Sequence, residues 1–261
     1  MRKIKCLIAI LVFYGLMFSP VWAHDYWILP ATFHPAENSM LEVAFTCGHS
    51  YFDPTETPDN TKYRLFLTNP QGREIPIAYS RIHYQAAWAQ VPIYGPGTYI
   101  ISAVNTLPAF WSKTTEGWKP KRKSEVKNAI KTGKTYKFAK TFLTAGRPSD
   151  SYKTPMGYIV EIVPQVNPTV LKVGQTLPLL FLFQSRPVKD ASVYGIYESF
   201  KKGDQRVETK TDKNGLAKIR LDRPGKWLIG AKHEFDTPGN PDADYEYHLA
   251  YMMFEIRKQK K

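Results

Sequence analysis

Apolar and polar positions alternate with a period of two along most of this chain. Leu41-Glu42-Val43-Ala44-Phe45-Thr46 alternates, as does Tyr63-Arg64-Leu65-Phe66-Leu67-Thr68 before the turn Asn69-Pro70-Gln71-Gly72. Pro96-Gly97 leads into Thr98–Ala103, and Tyr136–Leu143 is built the same way. Tyr158–Pro164, Leu177–Phe183, Trp227–Lys232 and Tyr245–Ile256 follow, separated by turn residues. Successive side chains of a strand point to opposite faces, so these β-branched and aromatic runs between Gly and Pro predict short strands. Asn214-Gly215 predicts a type I′ turn, with both central residues at φ > 0. The one stretch with helical spacing is Ser124–Lys131, where Val126 and Ile130 lie four apart and predict a short helix. The pattern predicts an all-β chain of two β-sandwich domains, 24–146 and 155–261, joined by a polar linker at 147–154.

Residues 1–23 depart from this pattern. Arg2, Lys3 and Lys5 precede an apolar run, Cys6–Phe18, shorter than the roughly 20 residues of a membrane span. Ser19 and Pro20 break the run, and Val21-Trp22-Ala23 offers a cleavage site. The segment reads as a secretory signal peptide, with the periplasm as destination. Cleavage after Ala23 leaves 238 of the 261 residues, and the loss of three cations and no acid lowers the formal charge from +13 to +10. Such a charge favours anionic partners, including membrane headgroups. Export argues against nucleic acid. Lys113, Lys119, Lys121, Arg122, Lys123, Lys127, Lys131 and Lys134 crowd into a basic excursion, 111–134, which is either a solvated loop or a docking surface. A further basic tail ends the second domain. Only Cys47 remains after cleavage, so no internal disulfide forms.

The same cleavage would make His24 the amino terminus. A free α-amine and Nδ1 of one histidine close a six-membered chelate ring on a metal ion, once the amine has lost its proton. One further imidazole completes the three-nitrogen set called a histidine brace. His49 is the second candidate, because it follows an alternating strand in Cys47-Gly48-His49-Ser50-Tyr51-Phe52 and Gly48 permits a sharp turn. His233 and His248 flank a run rich in acids, Glu234, Asp236, Asp242, Asp244 and Glu246, which could attract a cation. They and Asp25 are the candidates for a fourth ligand. Cys47 reads as a small buried residue, and His34 and His83 as ordinary turn and strand residues. Imidazole and amine donors suit Ni(II), Co(II), Cu(II) or Zn(II), and no methionine-rich run favours Cu(I). The chain has no Gly-x-Ser-x-Gly elbow, no His-Glu-x-x-His helix and no Gly-rich phosphate loop. It offers no catalytic residue, and whether it is an enzyme stays open.

Two resemblances follow from these segments. Val173-Gly174-Gln175, Leu177–Phe183, Asp212-Lys213-Asn214-Gly215 and Pro224-Gly225-Lys226-Trp227 are similar to the immunoglobulin-like modules of bacterial surface proteins. They are similar also to the transthyretin-like domain beside some carboxypeptidases, over about residues 158–232. This implies a fold and no chemistry. Ala23-His24-Asp25-Tyr26-Trp27-Ile28-Leu29-Pro30, Gly48-His49-Ser50-Tyr51-Phe52, Lys134–Lys140, Asp212-x-x-Gly215 and Pro224-Gly225-x-Trp227 resemble the family catalogued as domain of unknown function 4198. Its members often accompany nickel or cobalt uptake transporters as periplasmic components. The resemblance implies that His24 and His49 are metal-site residues, that nickel or cobalt is the favoured ion, and that a membrane transporter component is the partner. Two other readings fit the residues. One is an adhesion-like structural module without metal, and the other is a copper oxidase built on a histidine brace.

Overall fold

The computed structural model describes residues 24–49, 51–201 and 204–257. The expected signal peptide, 1–23, and the last residues of the basic tail lie outside them. The first half forms β1 (Asp25–Pro30), β2 (Ser39–Gly48), β3 (Tyr63–Thr68), β4 (Glu74–Ile77), β5 (Tyr79–His83), β6 (Ala86–Ile93), β7 (Gly97–Asn105), β8 (Ala109–Thr114) and β9 (Gly117–Lys119). The second half forms β10 (Lys131–Ala145), β11 (Val160–Pro164), β12 (Thr176–Phe183), β13 (Arg186–Pro187), β14 (Ser192–Tyr197), β15 (Val207–Lys210), β16 (Leu216–Arg220), β17 (Gly225–Asp236) and β18 (Tyr245–Ile256). Among the described residues the only helical pieces are short 3₁₀ turns. The fold is all-β and built of packed sheets.

β1, β2, β6 and β5 form one small sheet in that order, and β11, β12, β13 and β16 form another. A ten-stranded sheet runs β15-β14-β17-β18-β10-β7-β3-β4, with β8 attached to β10 and β9 to β8. Side-chain alternation assigns its two faces. Ala139, Leu143 and Ala145 of β10 join a core with Trp27, Phe45 and Tyr99. Phe138 and Phe142 join a second core with Phe181, Trp227 and Phe254. Each small sheet therefore covers one face of the shared sheet. β7, β10, β17 and β18 have long stretches buried on both faces, which explains why their sequences read as nearly continuous apolar runs. Trp27, Trp227, Phe45 and Phe181 are at most 1% exposed; truncating such a side chain to Ala costs about 3–5 kcal/mol.

The expected linker, 147–154, lies between β10 and β11. It is a tied corner: Ser149 Oγ accepts from Thr98 N, and Ser151 Oγ donates to Thr98 O at 2.8 Å. The central sheet crosses this boundary through parallel pairing of β10 with β18, from Gly133↔Tyr245 to Thr141↔Met253. A buried Lys140–Glu161 ion pair joins β10 to β11.

Three local expectations change. The helix expected at Ser124–Lys131 is a 3₁₀ turn, Lys123–Glu125. Lys123 N donates to Asp242 O, and Ser124 Oγ donates to Asp242 Oδ1. The acidic run between β17 and β18 is thus answered by the basic excursion: Arg122 pairs with Asp242, Lys123 with Asp244 and Lys134 with Glu246. The Asn214-Gly215 turn is not type I′, because only Gly215 has positive φ (74°). Asp212 Oδ1 accepts from Asn214 N and Leu216 N, and a Cβ at Gly215 would lie 3.0 Å from Phe181 O.

Candidate metal centre

The site is set by strand register. β1 and β2 are antiparallel, with Tyr26 opposite Cys47 and Asp25 opposite Gly48. One step further along this ladder, His24 meets His49, and their ring centroids lie 4.5 Å apart in an edge-on contact. β2 then turns sharply at Gly48, whose φ is +149°. A Cβ there would lie 1.7 Å from Thr55 Oγ1, so only glycine leaves Thr55 room to donate to Cys47 O at 2.8 Å. The chain returns antiparallel to itself, with Glu56 N donating to Cys47 O and Cys47 N to Glu56 O. This places the Glu56 carboxylate 3.1 Å from His24 Nδ1.

His24, Cys47 and Glu56 each offer one donor atom, and these atoms lie within 4.8 Å of one another. Burial lowers the His24 imidazole below its ordinary 6.5 and outweighs the opposing pull of Glu56, so the ring is neutral at pH 7. Burial also pushes the Cys47 thiol up to about 11, so it is protonated and is the weaker donor. Two bonds of about 2.0–2.1 Å to one ion put adjacent donors about 3 Å apart, close to the His24–Glu56 spacing.

The outer edge of β1 is held by β10. Lys137 Nζ donates to His24 O at 2.7 Å, and Thr141 Oγ1 donates to Ile28 O at 2.5 Å. Lys137 is 9% exposed, and its ammonium lies 4.5 Å over the Tyr26 ring. Burial lowers its pKa to about 8 against the attraction of Asp25, Cys47 and Glu56.

The structure brings His24 and His49 together and leaves the other three sequence candidates apart from them. Asp25 is 4% exposed and points into a polar knot: Tyr51 OH and Tyr194 OH donate to it at 2.8 and 2.6 Å, and Arg206 approaches at 3.3 Å. Its oxygens are engaged by these three partners and turned away from the His24–Glu56 pair. His233 and His248 are cross-strand partners on β17 and β18. His248 is fully buried, stacks on Tyr136, meets the edge of Phe183, and bonds Glu246 through Nε2 at 2.9 Å. Tyr136 and Phe183 belong to the second core, whereas Tyr26 and Tyr51 belong to the first. The His233–His248 pair therefore lies across the central sheet from His24. Sequence reasoning missed Glu56, Lys137 and Arg206. Glu56 sits in a polar loop with no pattern to mark it, but Lys137 was visible as a lysine at an inward position of an alternating strand.

The sequence model of the family described as "Domain of unknown function (DUF4198)" matches residues 21–235. The chain belongs to this family. No curated protein matches it in sequence. Among solved structures, the D0-D1 domain of intimin is similar at 13% identity, covering 88% of this chain and 97% of that one with a TM-score of 0.22. A two fibronectin type-III domain segment from chicken tenascin is similar at 12% identity, covering 86% and 96%, with a TM-score of 0.22. A Salmonella alpha-2-macroglobulin mutant is similar at 7% identity, covering 94% of this chain and 15% of that one, with a TM-score of 0.28. Likenesses at this level carry no argument about function.

Proposed function

We propose that this protein is a periplasmic binder of a divalent transition metal, of nickel or cobalt type, that serves an uptake transporter. The observation that carries the reading is the convergence of His24, Glu56 and Cys47 donor atoms at one end of the β1–β2 ladder, with the His49 ring in edge contact with His24. A neutral His24 supports it, because a metal ion then displaces no proton from that ring. The nitrogen and oxygen donors suit Ni(II), Co(II), Cu(II) or Zn(II). Cleavage after Ala23 would add the α-amine of His24 to this set and raise the number of nitrogens. The preference for nickel or cobalt and the transporter partner come from the family resemblance.

The test is calorimetric titration of protein beginning at His24, beside a form with one extra residue before His24. Ni(II), Co(II), Cu(II) and Zn(II) are each titrated. One-to-one binding that weakens strongly in the extended form is the expected result. Weak and equal binding by both forms would overturn the reading.

A further inference from the structure

The end of the sandwich that carries His24 has a second feature, independent of the metal reading. β1 and β10 run parallel, since Lys137 meets His24 and Thr141 meets Ile28. β10 begins at Lys131, six residues before Lys137, so it overhangs the His24 end of β1 by about 20 Å at 3.3 Å per residue. On this overhang β8 pairs with β10, and β9 with β8.

The register fixes which side chains share the face of Lys137. Lys113 lies opposite both Trp118 and Lys131, giving the row Trp118–Lys113–Lys131. The next row on that face is Trp111–Gly133–Tyr245. Gly133 leaves a gap that the Tyr245 ring fills: a Cβ there would lie 2.5 Å from that ring. Lys131 Nζ sits 4.6 Å over the same ring. Trp111 and Trp118 are 45% and 38% exposed. The neighbouring acids Glu116, Asp242 and Asp244 are engaged by Lys119, Arg122 and Lys123. The result is a surface on which two indoles and the Tyr245 ring lie beside two ammonium groups.

That combination selects its partner. Indoles place an apolar body and a polar N–H in the headgroup layer of a bilayer, and lysines beside them attract anionic headgroups. A purely acidic polymer would use the charges and leave both indoles in water. We propose that the β8–β9–β10 overhang seats the protein on an anionic membrane surface, bringing its His24 end close to that membrane.

The test uses metal-free protein beginning at His24 and phosphatidylcholine vesicles with and without phosphatidylglycerol. Flotation should recover the protein with the anionic vesicles alone, less so as salt rises, and indole emission should shift to the blue. Lys113→Glu with Lys131→Glu should weaken binding by about fivefold or more per cation. Trp111→Ala with Trp118→Ala should weaken it and remove the emission shift. Lys213→Glu with Lys218→Glu changes the charge equally, on the sheet covering the opposite face, and should leave binding unchanged. Circular dichroism and melting of every variant confirm folding. Absence of vesicle binding would overturn the proposal, as would equal loss in the Lys213/Lys218 variant. Retention on polyglutamate without vesicle binding would assign the face to an acidic polymer instead. None of these outcomes bears on metal binding.

Discussion

Replacing Asp25 by Asn separates an anchoring role from a ligand role. Asp25 is 4% exposed and the Arg206 side chain 9% exposed, so solvent screens the pair little. The carboxylate also accepts from Tyr51 and Tyr194. Removing one member of a buried, hydrogen-bonded ion pair costs about 3–5 kcal/mol. In a domain of this size that lowers the melting temperature by about 6–12 °C for the smaller figure. Tyr51 belongs to the segment that follows His49, so the loss also loosens the loop that carries the second imidazole. Chemical denaturation of the parent, Asp25→Asn, Arg206→Met and the double variant measures it. The double variant should cost clearly less than the sum of the singles, since the two groups interact directly. A loss below about 1 kcal/mol, or strict additivity, would refute the anchor. A variant that stays stable but no longer binds metal would make Asp25 a ligand after all.

Other expectations follow from the same geometry. Gly48→Ala should destabilise by about 2–4 kcal/mol, from strain at positive φ and loss of the Thr55–Cys47 hydrogen bond; unchanged melting would contradict the turn. Cys47, buried and with its thiol raised to about 11, should resist iodoacetamide in the native protein and react fully in denaturant. Burial lowers the imidazoles of His24, His34, His233 and His248. The unfolded chain therefore takes up more protons below its ordinary histidine pKa near 6.5, and the denaturation midpoint should fall as pH drops from about 6.5 to 5. A midpoint that rises over that interval would show the opposite sign.

The strands were legible because burial on one or both faces writes itself into sequence. β3 and β18 have the bounds that alternation predicts. The sharing of one sheet between the two halves was not legible, because the pairing of β10 with β18 joins residues more than a hundred positions apart. The short helix failed because its signal was two apolar residues, Val126 and Ile130, while hydrogen bonds to Asp242 held the segment in a 3₁₀ turn. The basic excursion and the acidic run were both noticed, but only the fold shows that they pair with each other. In the site, His24 and His49 stood out by residue type and context. Glu56 did not, since its place depends on a loop closed by backbone hydrogen bonds to Cys47. Asp25 and His248 are buried with partners of their own, Tyr194 and Glu246, and sequence shows a polar residue but not its partner.

The most direct test of the central claim is X-ray absorption at the nickel or cobalt edge of loaded protein beginning at His24, compared with His24→Ala, His49→Ala and Glu56→Gln. The parent should show a shell of nitrogen and oxygen donors with imidazole scattering. That scattering should weaken in each histidine variant and persist in Glu56→Gln. A spectrum identical in the parent and both histidine variants would place the ion elsewhere and contradict the site.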